Sequence, residues 1–108
     1  MRAADIWMHG ARAGVLEERE DGYRFRYLPD YLRDPDARPV SLSLPLRETE
    51  YADKRLFPFF DGLIPEGWLL DIAERTWKLD ARDRMGLLLA CCRDCIGAVS
   101  VVAREQTP

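Results

Sequence analysis

The sequence lacks the segments that would carry a chain into or across a membrane. No apolar run among its 108 residues approaches the length of about 18 that a membrane-spanning helix needs. Its amino terminus also lacks the basic and then apolar pattern of a secretory signal. We therefore expect a cytoplasmic protein that has no membrane partner.

Concentrated positive charge is missing as well. The 16 Lys and Arg residues are outnumbered by 19 Asp and Glu residues, and no basic run or face stands out. Proteins whose main task is to coat nucleic acid need such a face, so we expect no direct nucleic-acid partner. The length and the 47% hydrophobic content are those of an ordinary globular protein, and we expect one domain over residues 1–108.

The residue types of an enzyme site are scarce. His9 is the single histidine, and no Ser or Cys lies in a recognisable nucleophile motif. No glycine-rich phosphate-binding loop is present. Asp61 and Gly62 follow Phe60, but this order differs from the kinase magnesium motif, and no catalytic loop accompanies it. We expect no catalytic residue and no cofactor.

The three cysteines are crowded near the carboxyl end, at Cys91, Cys92 and Cys95. An odd, clustered set is a poor disulfide framework. Cys92 and Cys95 have the spacing of a redox motif and could bind zinc together with Cys91 and His9, but Cys92 lies on the apolar stripe of a predicted helix. We interpret them as small buried thiols with no metal, and a small redox or metal protein stays as an alternative.

The stretch from Phe57 to Trp77 organises the rest of the chain. It opens with closely spaced aromatic and aliphatic residues, and Pro65 then marks the first position of a helix, where its missing N–H costs nothing. Glu66 follows in the first turn, where a carboxylate interacts favourably with the positive end of the helix dipole. The pattern predicts a helix that begins at Pro65.

Trp68 and Leu70 lie beside the buried face of this predicted helix. Helical periodicity centres the apolar stripe near Leu69 and Ile72, and Trp68 is about 90° away from that centre. A large ring in this position either covers the edge of its own core or is presented to another protein. Both interpretations are open from the sequence alone.

The remaining pattern predicts an α+β fold. Strands are expected over Ala4–His9, Ala11–Glu18, Tyr23–Tyr27, Val40–Leu46 and Ala98–Ala103. A loop or helical turn is expected over Pro29–Pro39, and a polar connection over Arg47–Arg55. A further helix is capped by Asp80, and its apolar stripe contains Met85, Leu88, Leu89 and Cys92. We expect a single small domain, an antiparallel β-sheet with the helices from Pro65 and Asp80 packed on one face.

Three segments, taken together, resemble a known family. They are Asp36–Leu46 (DARPVSLSLPL), Phe59–Gly67 (FFDGLIPEG), and Leu87–Ala90 followed by Arg93–Ser100 (LLLA and RDCIGAVS). In this order they are similar to the first amino-terminal subdomain of HipA-type toxin kinases, and the resemblance covers nearly the whole chain.

Two departures from that family define the expected function. No kinase segment follows up to Pro108, and Trp68 stands after Pro65-Glu66-Gly67, where the family usually has a polar residue. Both features fit a free-standing HipS-like antitoxin of a three-part HipBST toxin-antitoxin system. The resemblance then implies binding and inhibition of a HipT-like serine/threonine kinase that lacks this subdomain, with a HipB-like helix-turn-helix DNA-binding protein as a further member of the complex.

An alternative from the same resemblance is a non-inhibitory accessory subunit that completes a HipA-type kinase fold. In either case the expected contact is centred on Trp68. The residues predicted to bind the partner are Phe60, Asp61, Ile64, Pro65, Glu66, Gly67, Trp68 and Leu70.

Overall fold

One antiparallel sheet forms the centre of the structure. The computed structural model describes residues 2–64, 82–91 and 98–104. Within these ranges the strands are β1 (Ala3–Met8), β2 (Ala11–Arg19), β3 (Gly22–Tyr27), β4 (Tyr51–Asp53) and β5 (Val99–Ala103), in the spatial order β4-β3-β2-β1-β5. The predicted opening meander is confirmed, and so is the closing strand, which pairs with β1.

The two hairpin turns of the meander depend on backbone angles that favour glycine. His9 and Gly10 both have positive φ, of 50° and 80°, as in the two-residue turns that match the twist of antiparallel strands. Gly22 has a φ of 137°, and a Cβ there would lie 2.3 Å from the carbonyl oxygen of Asp53 on the neighbouring strand. A side chain at position 22 would therefore push β4 away from β3.

The described helices pack against one face of this sheet, in agreement with the predicted α+β fold. The predicted helix that begins at Pro65 lies outside the described residues. They are α1 (Pro29–Arg33), α2 (Pro58–Asp61) and α3 (Arg84–Cys91). None of them has the length and apolar character to cross a membrane. Alternate strand residues and all three helices contribute side chains to one core, which includes Ile6, Leu16, Phe25, Tyr31, Phe60, Met85, Leu87, Leu88 and Val101.

The predicted strand over Val40–Leu46 is wrong. Ser41 and Leu44 form one isolated antiparallel bridge that closes a tight turn. The alternating pattern arises because Val40 and Leu44 are buried while Leu42 points outward. Local hydrogen bonds compete with a sheet ladder here, since the Ser41 hydroxyl accepts from the backbone N–H of Ser43 at 3.2 Å.

The edge of the sheet is formed instead by β4, in the segment predicted to be a polar connection. Tyr51 pairs with Phe25 in the ladder, and the two rings stack with centroids 6.4 Å apart. β4 has only 3 residues, too few for a period-two pattern to show in the sequence. Its pairing with β3 is therefore a tertiary effect.

The third helix begins after Asp83, which is its N-cap, whereas the predicted cap, Asp80, lies outside the described residues. The Asp83 carboxylate accepts a hydrogen bond from the backbone N–H of Gly86 at 3.2 Å. The same carboxylate pairs with Arg2, whose guanidinium donates to it at 2.6 and 2.9 Å and to Glu18 at 2.8 Å. Arg2 thus joins the start of α3 to the end of β2.

A second long-range link is the buried hydroxyl of Tyr27. It accepts a hydrogen bond from the backbone N–H of Val40 at 3.0 Å and donates one to the carbonyl of Leu44. Burial raises the pKa of Tyr27 to about 12, so the hydroxyl keeps its proton and remains a donor at neutral pH. One side chain of β3 therefore holds both ends of the Ser41–Leu44 turn.

Replacing Tyr27 with phenylalanine should lower the free energy of unfolding by about 1–3 kcal/mol, because a buried N–H and a buried carbonyl lose their partner. Urea denaturation measures this difference. Tyr51→Phe is the matched control, since its hydroxyl donates to Pro45 at 2.6 Å in an exposed position where water can replace it. Equal losses in the two variants would contradict the assigned role of Tyr27.

Because of the Arg2–Asp83 pair, we expect the free energy of unfolding to depend on pH in the acid range. Hydrogen bonds from Arg2 hold the pKa of Asp83 below its usual value. Folding thus favours the ionised form, and this stability is fully present above the unfolded-state pKa of about 3.9 and is lost as the pH falls through the lower folded-state value. Asp83→Asn retains an N-cap side chain and should lose less stability than the wild type on acidification. Parallel losses, measured by urea denaturation at stepped pH, would contradict the prediction.

Candidate partner-binding site

The described part of the candidate site is α2 and the residues that follow it. Pro58 occupies the first turn of this short helix, where its fixed φ is compatible and no N–H is needed. The N–H of Asp61 donates to the carbonyl of Phe57 at 2.9 Å, and that of Gly62 donates to Pro58 at 2.9 Å. The backbone N–H groups of Leu63 and Ile64 also donate hydrogen bonds within the segment, so its conformation is fixed up to Ile64.

Two of the predicted contact residues pack into the core of this chain. Phe60 is fully buried, with its ring centroid 5.3 Å from that of Phe25 on β3 and 5.2 Å from that of Phe59. Ile64 is also buried. Their side chains fix α2 on the sheet, and their direct contact with a partner stays a prediction.

Asp61 is the described candidate that is open to solvent. Its carboxylate accepts a hydrogen bond from Nε of Arg84 at 2.6 Å, and 41% of its side chain is exposed. This pair joins α2 to α3 at the surface. Because both groups are partly solvated, the pair contributes little to stability, and its carboxylate has room for a second partner.

A cleft of about 370 Å³ opens beside this ion pair. It is lined by Tyr23, Lys54, Arg55, Leu56, Asp61 and Arg84. The lining carries three cations and one carboxylate, so it favours acidic groups of a binding partner through charge-assisted hydrogen bonds. Burial raises the pKa of Tyr23, which therefore remains a neutral hydroxyl at the edge of the cleft.

Sequence reasoning missed the basic side of this cleft. Lys54 and Arg55 follow β4, and Arg84 begins α3, so residues about 30 positions apart meet only through the pairing of β4 with β3 and the packing of α3 on α2. No local pattern could have indicated this, because β4 itself was not predicted.

Several residues singled out in the sequence lie outside the described residues, and their predicted roles stay predictions. They are Pro65, Glu66, Gly67, Trp68 and Leu70 of the candidate site, together with Cys92 and Cys95. Over residues 2–64, 82–91 and 98–104 the structure groups no three His, Cys, Asp or Glu side chains in a way that could hold a metal ion.

Comparison with known proteins identifies the fold. The sequence model of the HipA N-terminal domain family matches residues 4–102. The solved N-terminal domain of HipA toxin superimposes with a TM-score of 0.76 and 28% identity, over 99% of this chain and 96% of that one.

Two sequence relatives differ in how much of their length the domain occupies. The chain is 32% identical over 106 residues to an uncharacterized protein of Haemophilus influenzae, covering 98% of this chain and 96% of that protein. It is 27% identical over 109 residues to the putative kinase Y4mE of Sinorhizobium fredii, covering all of this chain but 26% of the kinase. The match with the kinase is thus confined to one quarter of its length. The chain belongs to the HipA N-terminal domain family, a family of toxin-antitoxin systems.

Proposed function

We propose that this chain is a non-catalytic, HipS-like antitoxin that binds a HipT-like serine/threonine kinase and inhibits it. The observation that carries the proposal is the match of residues 4–102 to the HipA N-terminal domain and of the chain to one quarter of a putative kinase. The similarity lies in a domain that also occurs within a putative kinase. The proposed partner is therefore a kinase that lacks this domain in its own chain and binds it as a separate chain.

One relative consists almost entirely of this domain. The Haemophilus relative is covered over 96% of its length, so in that protein the domain occurs without a kinase segment in the same chain. A domain that acts on a kinase from a separate chain must bind through surface contacts alone. This supports an intermolecular complex. A cytoplasmic location and a HipB-like DNA-binding protein as a further component are part of the same proposal.

The geometry around α2 suits such a contact. Phe60 and Ile64 fix the helix on the sheet, which leaves Asp61 and the basic cleft on the surface. The predicted contact residues Pro65–Trp68 follow Ile64 directly in the sequence. A surface that is held before binding has less conformational entropy to lose on association. The contact is centred on Trp68 and extends along the cleft.

The test of inhibition is the activity of the purified kinase with and without this protein. Phosphorylation of the kinase and of an added protein substrate should fall as the protein is titrated in, with an end point at the stoichiometry of the complex. An unchanged rate together with measurable binding, or a higher rate, would favour the accessory-subunit alternative. No binding would contradict both functions.

Trp68→Ala should weaken kinase binding by roughly thirtyfold or more. A buried tryptophan removes about 150–250 Å² from water, and truncation of an interface hot spot typically costs at least about 2 kcal/mol, at about 1.4 kcal/mol for each tenfold in affinity. The measurements are kinase affinity by calorimetry and melting temperature on the same samples.

Two reference variants separate contact from folding. Leu70→Ala removes a neighbouring apolar side chain that also lies off the predicted stripe but has no ring. Phe60→Ala should cost about 3–5 kcal/mol of stability because its ring is fully buried, so it sets the loss of melting temperature expected for a core ring. If Trp68→Ala resembles Phe60→Ala in stability and binds normally while folded, the tryptophan belongs to the core.

A further inference from the structure

Two cations of the cleft beside α2 have no carboxylate partner within the described residues. Most basic side chains in these ranges form ion pairs, among them Arg84, whose Nε is 2.6 Å from a carboxylate oxygen of Asp61. Lys54 and Arg55 take part in none of the ion pairs formed within residues 2–64, 82–91 and 98–104. In a chain of net charge -3, two neighbouring cations outside ion pairs indicate a place where an anion can bind.

The backbone holds these two cations next to each other. A Cβ at Gly22 on β3 would lie 2.8 Å from the Cα of Lys54, so the chain after β4 passes this close to β3 only because position 22 is glycine. The Asp53 carboxylate accepts a hydrogen bond from the N–H of Arg55 at 3.2 Å, which closes a short turn over Lys54. Both cationic side chains therefore extend from a fixed piece of backbone.

The cleft also supplies a neutral hydrogen-bond donor. Its volume is about 370 Å³, and its lining includes Tyr23 and the buried side chain of Leu56. Burial raises the pKa of Tyr23, so its hydroxyl keeps its proton and can donate a hydrogen bond to an anion. The lining thus combines an ammonium, a guanidinium and a hydroxyl over an apolar side chain.

Nearby carboxylates do not cancel the charge of the cleft. Asp61 lines it but accepts a hydrogen bond from Nε of Arg84 at 2.6 Å, so these two charges largely offset each other. Lys54 also borders a second cleft that contains Asp21, whose carboxylate accepts from Arg24 at 2.8 Å. Three cations and one carboxylate leave the lining of the first cleft with an excess of two positive charges. A dianion matches that excess, whereas a carboxylate group carries one charge.

We infer that Lys54, Arg55 and the Tyr23 hydroxyl bind the phosphoryl group of a phosphate monoester. Such a group carries a charge of about −1.5 to −2 at neutral pH and has three strong acceptor oxygens. A guanidinium binds phosphate through paired N–H donors, and an ammonium binds it as a compact point charge. The cleft is larger than one phosphoryl group and has room for part of the molecule that carries it. The site is formed by described residues alone and does not rest on the proposed function.

The test is titration of the isotope-labelled protein, followed by NMR at neutral pH and constant ionic strength. The probes are inorganic phosphate and a short glycine-flanked phosphoserine peptide, with the unphosphorylated peptide and acetate as reference ligands. We expect saturable shifts of the amide signals of Tyr23, Lys54 and Arg55 with the phosphate probes only. Lys54→Ala and Arg55→Ala should each weaken binding by about tenfold, equivalent to about 1.4 kcal/mol, because one charge-assisted contact is lost. Both variants should melt like the wild type, since both side chains are exposed.

Arg38→Ala is the matched control for net charge. It removes an exposed cation from a different cleft, lined in part by His9 and Tyr31, and should bind the phosphate probes like the wild type. Tighter binding of the phosphopeptide than of inorganic phosphate would support the site and assign the phosphoryl group to a protein side chain. Similar affinities would support recognition of the phosphoryl group itself. Saturation by acetate at the same concentrations, equal weakening in Arg38→Ala, or no saturable shift with either phosphate probe would overturn the inference, and the proposed function would be unaffected.

Discussion

The aromatic face of β3 is the constraint on which the positions of α2 and of the Ser41–Leu44 turn depend. The Phe25 ring packs against Phe60, 5.3 Å between centroids, and so holds α2 on the sheet. Two residues further along the same strand, the Tyr27 hydroxyl holds both ends of the turn that presents Leu42. The rings of Phe25 and Tyr27 also contact each other, 4.9 Å apart and nearly perpendicular. The positions of α2 and the turn are therefore coupled through one strand, and a change that shifts β3 would displace both surfaces together.

Partly exposed charged contacts also hold the helices to one another and to the sheet. Asp61 joins α2 to α3 through Arg84, and Asp83 at the start of α3 joins it to the sheet through Arg2. These pairs are partly solvated, so each adds less stability than the aromatic contacts of the core. These pairs orient the elements they join. The Arg2 guanidinium forms two hydrogen bonds to each of two carboxylates and so fixes the relative placement of those carboxylates. The helical layer that would meet a partner is thus oriented by its charges and held by its apolar packing.

The sequence predicted the elements whose signal is local. Alternation over Tyr23–Tyr27 and the glycine turns identified the meander, and the apolar period around Met85 identified α3. The same alternation misled over Val40–Leu46, because hydroxyl groups within the segment and one from β3 take the backbone hydrogen bonds that a strand would use. The candidate site was found through the Phe59–Gly67 segment, but nothing local could separate Phe60, which packs inward, from Asp61, which is partly exposed. That distinction is set by Phe25, which lies 35 positions away in the sequence.

The proposed function requires the contact with the kinase to supply more binding free energy than a domain within the same chain would need. A domain joined to its kinase by a short linker meets it at an effective concentration on the order of millimolar, so weak contacts suffice. A separate chain that acts at micromolar concentration needs about 4 kcal/mol more binding free energy from the contact itself. Apolar side chains on a fixed backbone can supply this binding free energy, because their burial removes apolar area from water while little conformational entropy is lost. Trp68, where the HipA-type pattern has a polar residue, is predicted to be such a side chain. Under the proposed function, one anchor of about 2 kcal/mol would supply about half of that binding free energy.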